Sequence, residues 1–399
     1  MSDRPLLAQF GAGNIGRSLV GQLFANSGWE VIFLDVAAPL IDALNSRKSY
    51  TITVKDDLPP GQPSHIEVKN VSGVNLSDRQ AVVDTLVRAD LIGTSVGAAN
   101  LEAASGLVAE ALLRRSRPVS LILCENLHGA AKITRDYLTR SLPPTFPLAE
   151  RLGLVEAAIG KMVPYTPLEV RKNDPLAVWA EAYNTLYLDA ESYLGSPPTV
   201  FGVAWRQRFP AYVDRKLMLH NFAHAATAYH GYLAGKSFIW EAIRVPEVRQ
   251  EVVGCMLEVS RALAIRHADV FTFDENRATA DDLIRRFNNP ALADPVFRVG
   301  RDLKRKFSPG DRCLGSLRLL RETGIPGAYS ARAVAAGMLF GAVDETGKAF
   351  PGDPELVELA KRQGPEAVLT SIGGLDGEKD QELIKVVEEE YRRLATTSA

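Results

Sequence analysis

Near its N-terminus the chain reads Leu6-Leu7-Ala8-Gln9-Phe10-Gly11-Ala12-Gly13-Asn14-Ile15-Gly16-Arg17. An apolar run precedes the glycines and the helical pattern Ser18 to Asn26 follows them, which is the context that makes GxGxxG typical of a dinucleotide site. Gly11 permits a tight turn, Gly13 lets backbone amides approach a pyrophosphate, and Gly16 lets the helix pack closely on the strand. The stretch therefore predicts the opening strand, turn and helix of a Rossmann-type sheet.

The next apolar run, Val31 to Leu34, ends in the acidic residue Asp35. A carboxylate at about this distance from the glycines binds the ribose hydroxyls of adenosine. Val36 and Ala37 follow it and supply no cation for a 2′-phosphate. The sequence therefore favours NAD over NADP as the cofactor.

Two later apolar runs predict parallel strands whose carboxyl ends reach the same edge of the sheet. Leu91 to Gly97 ends in small residues, which suits a cofactor crevice, and Val119 to Cys124 delivers Glu125 and Asn126 to that edge. Asn126 is thus placed to reach the nicotinamide end, although a lone asparagine after a strand is equally often a turn former. The predicted cofactor-binding residues are Phe10, Gly11, Ala12, Gly13, Asn14, Ile15, Gly16, Asp35, Thr94, Val96 and Gly97.

The pattern of strands and helices changes along the chain. Residues 50–74 predict a β-hairpin extension, and Gly160 to Pro167 and Val178 to Leu188 predict further strands. After Tyr193-Leu194-Gly195-Ser196-Pro197-Pro198 we find helical patterns and almost no strand signal. We expect an α/β protein: a Rossmann-type doubly wound sheet with a β extension in residues 1–196, and a mostly α-helical substrate and catalytic domain in residues 197–399.

The composition favours small-molecule partners. A net charge of −2 over 399 residues predicts neither a nucleic-acid footprint nor an anionic membrane surface. Cys124, Cys255 and Cys313 are far apart, so they indicate neither a disulfide framework nor a zinc site. No apolar run approaches the ~20 residues of a membrane span or forms a signal sequence. We expect a cytoplasmic protein, a monomer or a small homo-oligomer, with no nucleic-acid or membrane partner.

The segment Asp214 to Tyr229 contains no proline or glycine and predicts a helix. With 3.6 residues per turn, Lys216, Asn221 and His224 fall on one side of that helix. An amine, an amide and an imidazole could then face one cavity, where burial would lower the pKa of the lysine toward the range of a working base. Taken singly, a solvated lysine, a surface amide and a packed core histidine are the more frequent interpretation, and this alternative stays open.

A second cluster of charge lies in Arg298 to Arg312. Five cations fall within the nine residues from Arg298 to Lys306, in a chain of otherwise balanced charge. Such a local positive surface suits a phosphate or a carboxylate. A solvated charged loop is an equal alternative on the pattern alone.

With these residues the sequence resembles the long-chain polyol dehydrogenases of the mannitol dehydrogenase family. The resemblance runs almost end to end, and the Lys-x4-Asn-x2-His spacing is its most specific signal. The matching segments are Phe10 to Arg17, Val71 to Asn75, Thr94 to Gly97, Cys124 to Asn126, Asn173 to Leu176, the Lys216/Asn221/His224 helix, Ala228 to Gly235, and Arg298 to Arg312. The chain departs from many relatives at Pro164-Tyr165, where they carry Asp-Arg.

The resemblance implies four catalytic residues: Lys216 as the general base, His224 as a substrate-orienting partner, and Asn221 and Asn126 as amides that stabilise an oxyanion. It also implies substrate-binding residues. These are Arg298 and Lys306, which match substrate-contacting positions of relatives, with Arg301, Lys304 and Arg305 as our own candidates for a phosphate.

The activity implied is NAD-dependent hydride transfer that interconverts mannitol 1-phosphate and fructose 6-phosphate. No Cys/His cluster has zinc spacing, so we expect the asparagine amides to replace a metal in stabilising the alkoxide. One alternative is a mannitol 2-dehydrogenase or hexuronate reductase that acts on an unphosphorylated substrate. Another is a sensor that binds NADH without catalysis.

Overall fold

The computed structural model describes residues 4–58, 61–164 and 166–397. The chain forms two compact units, Met1–Phe209 and Pro210–Ala399. This division comes later than the boundary expected after Ser196, because one more strand, Val203–Arg206, follows the Pro197-Pro198 pair and belongs to the first unit.

Parallel strands dominate the first unit. The strands are β1 (Leu6–Phe10), β2 (Glu30–Asp35), β3 (Ser49–Val54), β4 (His65–Lys69), β5 (Val71–Asn75), β6 (Leu91–Thr94), β7 (Val119–Leu123), β8 (Leu152–Ile159), β9 (Val178–Ala180), β10 (Leu186–Asp189) and β11 (Val203–Arg206). Eight form one sheet in the order β11-β10-β8-β7-β6-β1-β2-β5, and β4-β3-β9 form a second. Among the described strands of the large sheet, β8 and β10 pair antiparallel and the other neighbours pair parallel.

The large sheet is buried on both faces. Alternate residues of β1 belong to different cores: Leu7 packs in one cluster, and Ala8 and Phe10 pack in the other. This two-sided burial explains why β1 and β7 are continuous apolar runs rather than alternating ones. The helices of this unit are α1 (Gln22–Asn26), α2 (Ala38–Arg47), α3 (Arg79–Arg88), α4 (Leu101–Arg114), α5 (Ala130–Ser141), α6 (Leu148–Arg151) and α7 (Leu168–Asn173), with a π-turn at Gly16–Gly21 and a 3-10 turn at Ala98–Asn100.

The predicted hairpin is present, since β3 and β4 pair antiparallel, and β5 then returns to the large sheet beside β2. The strand predicted for Gly160 to Pro167 is wrong. The strand is β8, which ends at Ile159. Pro164 and Pro167 lack the N–H that a sheet needs, and the residues that pair with β7, Leu152 to Glu156, come earlier in the chain. Tyr165 lies outside the described residues.

The second unit is mostly helical, as predicted. Its helices are α8 (Pro210–Asp214), α9 (Phe222–Leu233), α10 (Ile239–Ala242), α11 (Pro246–Arg266), α12 (Phe273–Phe287), α13 (Val296–Gly300), α14 (Leu303–Lys306), α15 (Arg312–Thr323), α16 (Ala328–Gly337), α17 (Asp353–Gln363), α18 (Pro365–Ser371) and α19 (Gln381–Thr397), with a π-turn at Arg215–Asn221 and a 3-10 turn at Pro290–Leu292. Buried alanines on α9 and α16 let these two helices pack closely. In the described part of the chain, no helix has the length and apolar character needed to cross a bilayer.

Candidate active site

The three motif glycines have distinct structural roles. Gly11 has φ +84°, and a Cβ there would lie 2.7 Å from the carbonyl oxygen of Ser95. A Cβ at Gly16 would overlap the carbonyl oxygen of Gly11. Gly13 is exposed, and nothing would lie within 4 Å of a Cβ at that position. Fold constraints therefore explain Gly11 and Gly16, whereas Gly13 leaves open space of the kind that a pyrophosphate needs.

The buried side chain of Arg17 holds the glycine turn in place. Arg17 Nε donates a hydrogen bond of 2.7 Å to the carbonyl oxygen of Ala12, and its Nη1 donates to that of Leu176 at 2.5 Å. The hydroxyl of Tyr50 donates to the carbonyl oxygen of Arg17 at 2.7 Å. In the sequence, Arg17 is recognisable only as the end of the glycine motif. Its role depends on residues that are distant in sequence, so no local signal could have revealed it.

Asp35 lines a cleft of about 500 Å³ at the carboxyl edge of the sheet. The cleft is also lined by Gly11, Gly13, Val36, Ser95 and Val96. One oxygen of Asp35 accepts a hydrogen bond from the N–H of Ala12 at 2.7 Å, and the other accepts from Ala37 at 3.0 Å. A carboxylate beside an open glycine turn fits the adenosine and pyrophosphate of a dinucleotide.

The segment after β6 is held by Glu125, a residue that the sequence analysis placed at this edge without assigning it a role. Thr94 Oγ1 donates to Glu125 Oε2 at 2.7 Å, and the N–H of Val96 donates to Oε1 at 3.1 Å. Burial raises the pKa of the Glu125 carboxyl, although these two hydrogen bonds oppose the rise. Glu125 therefore shapes the loop that contains Thr94, Val96 and Gly97.

The other predicted residues of the first unit have different exposures. Phe10 and Ala12 are buried, Ile15 is half-buried, and Asn14 is exposed. Asn126 is exposed in the loop that follows β7. The exposed positions are the ones that a ligand can reach directly, and the buried positions support the turn.

Lys216 and Asn221 lie on the π-turn Arg215–Asn221, where an α-helix was expected. The N–H of Phe222 donates to the carbonyl oxygen of Leu217, five residues earlier. Because a π-turn closes over five residues instead of four, it brings residues five apart onto one face. Lys216 and Asn221 are five apart, so they share a face more closely than α-helical geometry predicts. Such turns occur frequently at functional sites.

The environment of Lys216 lowers the pKa of its amine to about 8. The main cause is burial, and the cations Arg312 and Arg305 add to it, while Asp311 opposes them. Asn221 Nδ2 is buried and has no hydrogen-bond partner among the described residues. A buried donor without a partner is rare in folded proteins and is expected where a ligand binds. The π-turn thus offers an amine near the range of a working base together with an available amide donor.

His224 lies on α9 beside a residue that the sequence analysis missed, Asp294. His224 Nε2 is 3.3 Å from Asp294 Oδ2, and the imidazole stacks on Phe287 with ring centroids 4.8 Å apart. Asp294 also binds Arg298, whose Nε donates to Oδ1 at 2.7 Å. Burial lowers the pKa of His224, although Asp294 opposes this, so the imidazole is neutral at pH 7.

The cation cluster is only partly available to a ligand. Arg298 binds Asp294, and Arg305 forms ion pairs with Asp302 and Asp311 at 2.5 and 3.1 Å. Lys306 is buried, where Nζ donates to the carbonyl oxygen of Arg301. Burial, with Arg312 and Arg305, lowers the pKa of Lys306 to about 7.

Lys304 and Arg301 differ from the other cations of the cluster in their surroundings. Lys304 is exposed on α14, and Arg301 is half-buried with its guanidinium over the rings of Phe297 and Phe350, 5.4 and 5.5 Å from their centroids. Lys304 is therefore the cation of this cluster most accessible to a phosphate. Within residues 4–58, 61–164 and 166–397, no group of three or more His, Cys, Asp or Glu side chains is arranged to hold a metal ion.

Comparison with known proteins identifies the family. The model described as "Mannitol dehydrogenase Rossmann domain" matches residues 6–200, and "Mannitol dehydrogenase C-terminal domain" matches residues 209–395. The fold is similar to substrate-free D-sorbitol dehydrogenase (TM-score 0.78, 18% identity, covering 99% of this chain and 94% of that one). It is also similar to Pseudomonas fluorescens mannitol 2-dehydrogenase in a ternary complex with NAD and D-mannitol (TM-score 0.76, 19% identity, covering 99% and 93%).

A Rossmann unit with a cleft at its glycine turn, followed by a helical unit that carries an amine of lowered pKa, fits an oxidoreductase that uses a nicotinamide cofactor. The two matches cover nearly the whole chain, and the chain belongs to the mannitol dehydrogenase family. The cofactor predicted from Asp35 is NAD, in agreement with the family's Rossmann domain and the NAD complex of the mannitol 2-dehydrogenase. The family resemblance inferred from the sequence is therefore confirmed.

Proposed function

We propose that this protein is an NAD-dependent mannitol-1-phosphate 5-dehydrogenase, which interconverts mannitol 1-phosphate and fructose 6-phosphate. The observation that carries the proposal is the pairing on one π-turn of Lys216, whose pKa is lowered to about 8, with the unpartnered amide Nδ2 of Asn221. Oxidation of a secondary alcohol needs a base for the hydroxyl proton and donors for the alkoxide that develops. Lys216 supplies the base, and Asn221 supplies a donor.

Each proposed catalytic residue has a distinct role. Neutral Lys216 accepts the proton of the reacting hydroxyl and later releases it to water. Asn221 Nδ2 donates a hydrogen bond to the developing alkoxide, and Asn126 is proposed as the second amide. Neutral His224 binds the adjacent hydroxyl. When bound, NAD would supply the acceptor for the hydride of the carbinol carbon. In this proposal a lysine accepts the proton and amides stabilise the alkoxide, so no metal ion is required. We therefore expect activity to survive treatment with EDTA.

The cations around Lys216 support a phosphorylated substrate. Arg312 and Arg305 are close enough to Lys216 to lower the pKa of its amine. Lys304 is exposed on α14, next to Arg305 in the chain. A substrate phosphate would complement this positive charge with strong, charge-assisted hydrogen bonds.

A second candidate is the oxidation of an unphosphorylated polyol, as the names of the sorbitol and mannitol 2-dehydrogenases suggest. One observation favours it. Asp302 and Asp311 already neutralise Arg305, and Asp294 already binds Arg298. Carboxylates that hold these arginines would compete with a phosphate for them.

The deciding experiment measures NADH oxidation with fructose 6-phosphate, fructose and fructuronate side by side. We expect the highest kcat/KM with fructose 6-phosphate. Equal values with and without the phosphate would contradict the phosphorylated substrate, and oxidation of none of the three would contradict a dehydrogenase acting on this class.

A variant pair locates the phosphate. Lys304→Gln removes the accessible cation and should raise the KM for fructose 6-phosphate severalfold while leaving the KM for fructose unchanged. Lys385→Gln removes an exposed lysine of α19 and should change neither KM. An equal effect of the two variants would exclude Lys304 from the phosphate site.

A further inference from the structure

We infer that Asp294 is a positioning residue that holds His224 in the tautomer with hydrogen on Nε2, so that Nδ1 is left to accept a hydrogen bond from the substrate. The inference rests on the proposed function, in which His224 binds a substrate hydroxyl. It adds a residue that neither the sequence pattern nor the family motif singles out. It also specifies which way the hydrogen bond to the substrate runs.

The geometry of the pair carries the argument. His224 Nε2 lies 3.3 Å from Asp294 Oδ2, with 16% and 6% of the two side chains exposed. An ionised carboxylate can only accept hydrogen bonds, so its proximity favours hydrogen on the ring nitrogen nearest to it. The near-parallel stack with Phe287, at an interplanar angle of 13°, limits rotation of the ring away from this orientation.

Hydrogen bonds hold both the backbone around Asp294 and its carboxylate. Its carbonyl oxygen accepts from the N–H of Ile239 at 3.0 Å, and the N–H of Val296 donates to Ser237 at 2.8 Å. Its Oδ1 accepts from Arg298 Nε at 2.7 Å. One carboxylate oxygen is thus held by Arg298, which leaves Oδ2 for His224. A carboxylate anchored in this way can orient an imidazole, as in other sites where a carboxylate selects the histidine tautomer.

The surrounding charges keep the two groups in the required protonation states. Burial raises the pKa of Asp294, but the interactions with His224 and Arg298 outweigh it and bring the pKa below its ordinary value. His224 faces Asp294 and Arg298, with Arg312 near it on α15 and His220 about one turn away on the preceding π-turn. Burial and the two arginines lower the pKa of His224 against the opposing effect of Asp294. A carboxylate therefore faces a neutral imidazole at pH 7.

The direct test is ¹⁵N NMR of histidine-labelled full-length protein at pH 7, which distinguishes the two nitrogens by their shifts. The chain contains 6 histidines, and a His224→Asn sample assigns the resonance in question. We expect hydrogen on Nε2 in the wild type, and a mixture of tautomers in Asp294→Asn, whose amide can also donate. Hydrogen on Nδ1 in the wild type would overturn the inference, as would an unchanged tautomer in the variant.

A kinetic cycle tests whether Asp294 acts through His224. Asp294→Asn should lower kcat/KM for the substrate by about ten- to a hundredfold, as loss of an orienting carboxylate does elsewhere, with NADH affinity unchanged. In a His224→Asn background the same change should have no further effect. Equal losses in both backgrounds would show a merely structural role. Asp281→Asn, at an exposed acid of α12, is the matched control.

The two readouts separate the inference from the function on which it rests. The tautomer is observed without substrate, so it decides the role of Asp294 even if the substrate panel contradicts the proposed function. If Asp294→Asn does not fold, the wild-type spectrum still decides, because hydrogen on Nδ1 is incompatible with the carboxylate contact.

Discussion

The carboxylate of Asp35 accepts a hydrogen bond of 2.7 Å from the backbone N–H of Ala12. The residue that ends β2 therefore also anchors the glycine turn that follows β1. Its other oxygen accepts from Ala37 at 3.0 Å, and Asp35 also lines the cleft. We therefore expect recognition of the ribose and the shape of the glycine turn to depend on the same side chain.

Asp35→Asn should weaken NADH binding by about tenfold or more, since a hydrogen bond to a charged group contributes about 1.5–3 kcal/mol. The loss should be much smaller for NADPH, because the carboxylate no longer repels the 2′-phosphate. Fluorescence titration with both cofactors measures the two dissociation constants. Asp42→Asn, at an exposed position of α2, serves as the control. Equal NADH affinity in wild type and Asp35→Asn would refute the assignment.

The glycines of the turn provide a second prediction, because their roles differ. Gly13→Ala should weaken NADH binding and leave the melting temperature unchanged, since the added Cβ meets no protein atom within 4 Å. Gly16→Ala should lower the melting temperature, since its Cβ would overlap the carbonyl oxygen of Gly11. Gly106→Ala, an open position within α4, should affect neither cofactor binding nor the fold adversely. Equal thermal destabilisation by the changes at Gly13 and Gly16 would contradict these roles.

The pKa of Lys216, lowered to about 8, predicts a pH dependence with a definite sign. Polyol oxidation needs the neutral amine, so kcat/KM should rise with pH through about 8 and then level off. Ketose reduction needs the ammonium form and should decline over the same range. Initial rates in both directions between pH 6 and pH 10, the range that brackets this pKa, provide the measurement. A flat profile in the direction of oxidation would exclude Lys216 as the base.

Buried His230 predicts sensitivity of the fold to acid. Burial, with Arg332 and Arg393, lowers the pKa of His230 from 6.5 to about 4, so below pH 6.5 the unfolded chain binds a proton that the folded chain does not. Stability should therefore fall as the pH is lowered through this window, by about 2 kcal/mol between pH 7 and pH 5 for this residue.

Urea unfolding at pH 7 and pH 5 measures this loss. His230→Leu should lose less stability between the two pH values than the wild type, because a leucine has no proton to gain. At pH 7 the change should cost little, since His230 Nε2 has no hydrogen-bond partner among the described residues. His65→Gln, at an exposed histidine of β4, should behave like the wild type. The same acid sensitivity in His230→Leu would contradict the prediction.

Local patterns were sufficient for much of the fold. The strands β1, β2, β6 and β7 are apolar runs that end in glycine, acidic or small residues, so both their existence and their functional ends could be predicted. Strand β11 could not be predicted. Val203–Arg206 is short and half-buried, and it follows two prolines, so its strand conformation depends on pairing with β10.

The candidate active site, like the fold, could be predicted from the sequence only in part. Lys216, Asn221 and His224 could be selected from their spacing on one helix, but the π-turn that aligns the first two has no signature in Arg215–Asn221 itself. Asp294 could not be connected with His224 at all, because only the folded chain brings α9 and the loop before α13 together. Glu125 was placed at the correct edge, but its bond to Thr94 depends on the register of β6 and β7.

The most direct test of the account is the turnover of Lys216→Ala. We predict that kcat falls by about a thousandfold or more, as expected when a general base is removed, while NADH binds with nearly unchanged affinity. Lys236→Ala, at an exposed lysine after α9, should keep normal turnover. If Lys216→Ala instead retains near-normal kcat, the amine of Lys216 is not the base and the proposed chemistry is wrong.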